Sequence, residues 1–151
     1  QCLKILFQPV CHAIARSDIN ILLNGHQQNL LKGLSDTFSP FSIDCLSNVF
    51  LNPPYGKFTG KWLEKMHHHR NGVSLVFART DCAWYHDYVA KADAILFLKG
   101  RIKFVDGLGV SAGSGAGCGS MLIAWGVDNV TALERMTDKG HLVLIQKQKI
   151  D

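Results

Sequence analysis

The sequence predicts an α/β domain organised on a parallel sheet, and three observations predict it. Apolar, β-rich runs recur at residues 49–51, 73–78 and 94–98. Between them, Trp62, Leu63 and Met66, and then Trp84, Tyr85, Tyr88 and Val89, have the spacing of amphipathic helices. Strand, helix, strand, helix, strand is the order of a parallel sheet with crossover helices. Polar residues follow the runs directly, as Asn52, Arg79 and Lys99. In sheets of this kind the ligand crevice lies beyond the carboxyl ends of the strands, so three separated residues become one candidate site.

Composition bounds the reading. A chain of 151 residues fits one domain, 1–151, and a hydrophobic fraction of 47% against 19% charged supplies a core and argues against disorder. The formal net charge of +4 permits a polyanionic partner without demanding one. The five cysteines are odd in number, widely spaced and lack a Cys-x-x-Cys pair, which reads as free thiols in a reducing compartment. No apolar run reaches membrane-spanning length, and the N-terminus has no signal-peptide pattern. The chain opens on Gln rather than Met, which fits a fragment or a processed product. The expectation is a cytoplasmic protein with no membrane partner.

Taken in order, residues 1–46 carry a short apolar patch from Leu3 to Val10, and then a strand around Ile19, Ile21, Leu22 and Leu23 closed by Asn24-Gly25. Leu30, Leu31 and Leu34 mark one face of a short helix. No glycine-rich turn with a later acid follows that strand, and Asp18 and Asp44 stand isolated. After the run 49–51, Thr59 is a candidate cap for a helix that Gly60 weakens and Asn71-Gly72 stops. His67, His68 and His69 near its end point in different directions and cannot share one metal, so no metal site is expected. They fit a helix C-terminus that tolerates positive charge. Asp81 is the candidate cap of the next helix, and Ile102–Val105 continues the third strand in extended form. The glycine-rich stretch 106–120 fits neither Gly-x-x-x-x-Gly-Lys nor Gly-x-Gly-x-x-Gly and reads as a linker. A fourth strand covers 120–126, a short helix carries Val130, Leu133 and Met136, and a last strand covers 141–145 before a polar tail.

The most informative stretch is Asn52-Pro53-Pro54-Tyr55 at the end of the first strong strand. Each proline fixes φ near about −65° and lacks an N–H, while its carbonyl still accepts. The residue before a proline is excluded from the helical region, so Asn52 is held extended. The loop therefore presents an amide, a carbonyl and an aromatic face in a small volume. That set suits a planar substrate with an exocyclic amine, which donates to the Asn52 oxygen and the Pro53 carbonyl while its ring stacks on Tyr55. The competing reading is a proline-rich turn after a strand.

The flanks extend the pattern. Phe50-Leu51-Asn52-Pro53-Pro54-Tyr55-Gly56 is followed by Trp62, by Ala78-Arg79-Thr80-Asp81 with Trp84 and His86, by Leu98-Lys99-Gly100-Arg101-Ile102-Lys103-Phe104, and by Gly119-Ser120-Met121-Leu122. This set resembles the small phage and prophage DNA N6-adenine methyltransferases of the Dam type, over roughly residues 47–145. The resemblance implies a Rossmann-like S-adenosylmethionine-dependent methyltransferase fold with a mostly parallel central sheet flanked by helices. It implies methyl transfer from S-adenosyl-L-methionine to an adenine flipped out of double-stranded DNA. Asn52, Pro53, Pro54 and Tyr55 are then the catalytic residues, and the chain is a monomer in the cytoplasm of a bacterial host, in a prophage or restriction-modification setting. Arg79, Lys99, Arg101 and Lys103 are the candidate phosphate contacts, with a solvated basic face as the alternative. Trp62 and Trp84 read as packing residues, and His86 as structural, because this chemistry needs no strong base. The family's opening Thr-Pro segment and Asp-bearing strand have no counterpart in residues 1–46. That region reads as divergent or truncated, and it leaves the cofactor-binding residues unassigned. Two other readings share the tetrapeptide: a methyltransferase acting on RNA or on a protein glutamine, and an inactive nucleic-acid-binding remnant.

Overall fold

The computed structural model describes residues 48–53, 55–102 and 117–146, and the backbone of 19–22. In chain order these form β1 (Ile19–Leu22), β2 (Asn48–Leu51), α1 (Thr59–His69), β3 (Gly72–Phe77), α2 (Ala83–Asp87), a 3-10 turn (Val89–Lys91), β4 (Ala94–Leu98), β5 (Ser120–Trp125), α3 (Val127–Glu134), a second 3-10 turn (Thr137–Lys139) and β6 (Gly140–Leu144). The expected apolar patch near residue 3, the helix near residue 30, the strand continuation beyond Ile102, most of the glycine-rich stretch and the tail lie outside the described residues.

The strands form one six-stranded sheet in the order β1-β2-β3-β5-β4-β6. This corrects the expectation of a mostly parallel sheet. β1 with β2 and β2 with β3 are parallel, whereas β3 with β5, β5 with β4 and β4 with β6 are antiparallel. The crossover from β3 through α2 to β4 skips one strand position, and β5 returns into that gap in the opposite direction. β1 to β4 still share one direction, so their carboxyl ends lie along one edge. Residues 52, 79 and 99 leave the sheet there.

Side chains alternate between the two faces of a strand, and both faces here are covered. On one face Phe50, Val73, Leu75, Leu96 and Leu122 pack with Ala132 and Leu133 of α3 and with Met136. On the other, Val49, Leu51, Val76, Ile95, Met121, Ile123 and Trp125 pack with Leu63 and Met66 of α1 and with Val89 and Ala92. Burial on both sides explains why these strands read as continuous apolar runs rather than alternating ones.

Local chemistry fixes where α1 begins and ends. Phe58 is the N-cap and Thr59 the first helical residue. The Thr59 hydroxyl accepts from the Gly56 N–H at 3.1 Å while its own N–H donates to the Gly56 carbonyl at 3.1 Å, which ties the helix to the preceding loop. Arg70, left-handed at φ 62°, ends the helix by donating its N–H to the Met66 carbonyl at 3.0 Å. Gly72 is therefore not a helix stop but the first residue of β3. A Cβ there would lie 2.1 Å from the Val49 carbonyl oxygen, so only glycine allows the two strands to meet. Gly60 has a similar use: a Cβ would stand 3.3 Å from the Trp84 Cβ, so its absence lets α1 approach α2. Asp81 does not cap α2; Cys82 holds that position without a side-chain cap bond. Among the described residues no helix is long and apolar enough to cross a membrane.

Candidate active site

β2 lies between β1 and β3 and delivers Asn52 to the shared edge. Asn52 is only 6% exposed and Pro53 is buried, whereas Tyr55 is 37% exposed. Pro54 lies outside the described residues. The Tyr55 hydroxyl donates to Asn52 Oδ1 at 3.3 Å. The Tyr55 ring stacks on Phe77, the last residue of β3, with centroids 3.9 Å apart and planes 14° from parallel. An amide oxygen can accept two hydrogen bonds, and Tyr55 supplies one donor. Burial, and secondarily the nearby Cys118, pushes the Tyr55 phenol up to about 12. At neutral pH the hydroxyl therefore keeps its proton and remains a donor to Asn52.

The basic candidates divide into two places. Arg79 leaves β3, is exposed, and turns its N–H back to the Phe77 carbonyl at 2.8 Å. Lys99 and Arg101 leave β4 and line an open cleft of about 210 Å³ with Ile102, Asp138 and Lys139. The Lys99 N–H donates to the Lys139 carbonyl at 2.8 Å, and Lys139 Nζ pairs with Asp138 at 2.7 Å. Lys103 lies outside the described residues. The strand order puts Arg79 one strand from Asn52 and Lys99 three strands away. At an inter-strand spacing of about 4.8 Å that is roughly 14 Å. The edge is shared, but the acceptor corner and the basic cleft are two places rather than one pocket.

Sequence reading missed three participants. Phe77 backs Tyr55, and its signal was the aromatic residue near the end of the neighbouring apolar run. Cys118 lies close enough to act on Tyr55, and Lys139 joins the basic cleft only because β6 pairs with β4. Trp84 packs against the Gly60 position, and His86 meets Tyr85 edge-on with centroids 5.4 Å apart. The positive charge expected at the end of α1 is disfavoured on His67, where burial first and the Arg70 charge second lower the imidazole's affinity for a proton.

The family model described as DNA N-6-adenine-methyltransferase (Dam) matches residues 41–141. No curated protein and no solved structure matches the chain.

Proposed function

The chain belongs to the DNA N-6-adenine-methyltransferase (Dam) family, and from that premise we propose that it methylates the N6 amine of an adenine flipped out of double-stranded DNA, using the Asn52–Tyr55 corner as the acceptor site. The observation that carries this reading is the set of Asn52 Oδ1, the Tyr55 hydroxyl 3.3 Å from it, and the Tyr55 ring stacked on Phe77 at the carboxyl edge of the sheet.

S-adenosylmethionine supplies an electrophilic methyl group on sulfur. The corner suits the acceptor beside such a methyl, because its oxygens are a neutral amide, a carbonyl and a phenol held protonated, none of which competes as a strong nucleophile. Asn52 Oδ1 and the Pro53 carbonyl accept the two N–H groups of the amine and draw its lone pair out of conjugation with the ring. Methylation would place positive charge on that nitrogen, which the Asn52 and Pro53 oxygens would stabilise. The surplus amine proton then leaves to water. Leu22 stands level with Leu51 in the parallel pairing of β1 and β2, so β1 ends at the same edge as β2. No described residue is assigned to hold the cofactor.

Flipping a base costs a few kcal/mol, and stacking on one aromatic returns about 1–3 kcal/mol. Phe77 holds the Tyr55 ring in place, so the ring's exposed surface can receive the base without being ordered first. Arg79, Lys99, Arg101 and Lys103, with Lys139 added, would contact phosphates.

The test is incorporation of labelled methyl from S-adenosylmethionine into unmethylated duplex DNA, with RNA and protein extract as parallel substrates. The expected product is N6-methyladenine in DNA from the wild-type chain and none from Asn52→Ala, which should still bind DNA. Label in RNA or protein alone would overturn the acceptor, no label anywhere would mark an inactive remnant, and normal transfer by Asn52→Ala would overturn its role.

A further inference from the structure

A second basic surface lies outside the acceptor corner and the Lys99 cleft. Lys57, Lys61 and Lys65 recur every four residues, so they follow one line along α1 and the turn before it. All three are exposed. Lys57 Nζ stands 4.9 Å and Lys61 Nζ 5.9 Å from the Phe58 ring centre, and Lys65 Nζ stands 5.9 Å from that of Trp62. Phe58, Lys61, Trp62 and Lys65 together line an open groove of about 230 Å³. Phe58 is 51% exposed. The acid of α1 faces elsewhere: Glu64 lies beside Tyr88, on the side of the helix where Gly60 meets Trp84. The groove thus carries positive charge on aromatic supports, on the face of α1 turned from α2, and it begins within three residues of Tyr55.

We propose that this face of α1 binds the phosphate backbone of the duplex flanking the target adenine. The inference rests on the DNA reading of the acceptor corner and adds a contact surface to it. Three exposed cations along the strip match a polyanion in sign. The rings hold the lysine heads near fixed positions, which lowers the entropy lost when a phosphate is bound. The helix leaves the corner directly, so DNA whose base stacks on Tyr55 has its adjoining backbone within reach of the first lysines.

The experiment is equilibrium binding of the full chain to a duplex extending well beyond the target on both sides, over a series of salt concentrations. Each phosphate contact contributes about 0.9 to the slope of log affinity against log salt. Lys57→Gln, Lys61→Gln and Lys65→Gln combined should therefore lower that slope by roughly 2–3, while the matching arginine triple keeps it. The unfolding midpoint of both triples confirms that the exposed substitutions leave the fold intact. Wild-type binding with an unchanged slope in the glutamine triple would overturn the surface and leave the acceptor corner standing. A wild-type chain that binds no duplex at low salt would overturn both.

Discussion

At the scale of the residue, Tyr55 makes two separable contacts, and conservative variants divide them. Tyr55→Phe keeps the stack on Phe77 and removes the 3.3 Å bond to Asn52 Oδ1. Its expected cost is about 0.5–1 kcal/mol of stability, because that bond is long and part-exposed. Methyl transfer should survive with a reduced rate. Tyr55→Ala also removes the aromatic surface proposed for the base, and should reduce affinity for duplex DNA containing an unpaired target adenine about tenfold or more, read by fluorescence anisotropy. The phenol also predicts a pH effect with a definite sign. Its proton is held up to about 12 in the folded chain, against 10.0 for an unperturbed tyrosine. Below pH 10 both states keep the proton and stability does not change with pH on this account. Between 10 and 12 the unfolded state releases it first, so stability falls as pH rises. Partial exposure of the ring reduces the size of the effect. Urea unfolding across that window should show a shallower fall for Tyr55→Phe than for wild type.

At the scale of the element, glycines set the distances. Gly72→Ala places a methyl 2.1 Å from the Val49 carbonyl oxygen, and neither backbone can yield without breaking the β2–β3 ladder. Overpacking of this kind costs about 1–3 kcal/mol or more, and the expected result is a lowered urea midpoint together with lost methyl transfer, since β2 and β3 carry Asn52 and Phe77. Gly60 was read from the sequence as a weak point in a helix, and the structure supplies the reason for keeping it: Trp84 occupies the space a side chain would need. The element types were legible because each is written locally, in an apolar run or a helical spacing. The ends were less so. Thr59 and Asp81 have the chemistry of caps, yet Phe58 and Cys82 take those positions, because the approach of the chain from the neighbouring loop decides which residue turns first.

At the scale of the molecule, the end of the sheet opposite Asn52 holds the layers together. Asp93, just before β4, accepts from Arg70 Nη2 at 2.8 Å and from the Gly126 N–H at 2.8 Å, while Arg70 Nη1 donates to the Lys91 carbonyl at 3.0 Å. One carboxylate thereby joins the end of α1, on one side of the sheet, to the start of α3 on the other. Asn129, fully buried, adds bonds to the Trp125 carbonyl at 2.8 Å and to Asn71 Oδ1 at 3.2 Å. Asp93→Ala should cost about 2 kcal/mol in urea unfolding, a value kept modest by the pair's partial solvation. Asp93→Asn, which retains an acceptor for Gly126, should cost less.

The sequence by itself determined the described strands and the helices between them, and put Asn52 just past a strand end, because backbone preference and burial pattern are properties of neighbouring residues. The tertiary structure alone decided that β5 lies between β3 and β4, which turned an expected parallel sheet into a mixed one. It also decided that Phe77 supports Tyr55 and that Lys139 joins Lys99. Strand pairing is settled by which buried surfaces fit across the whole sheet, and a residue's partner across strands leaves no mark in its own stretch of chain.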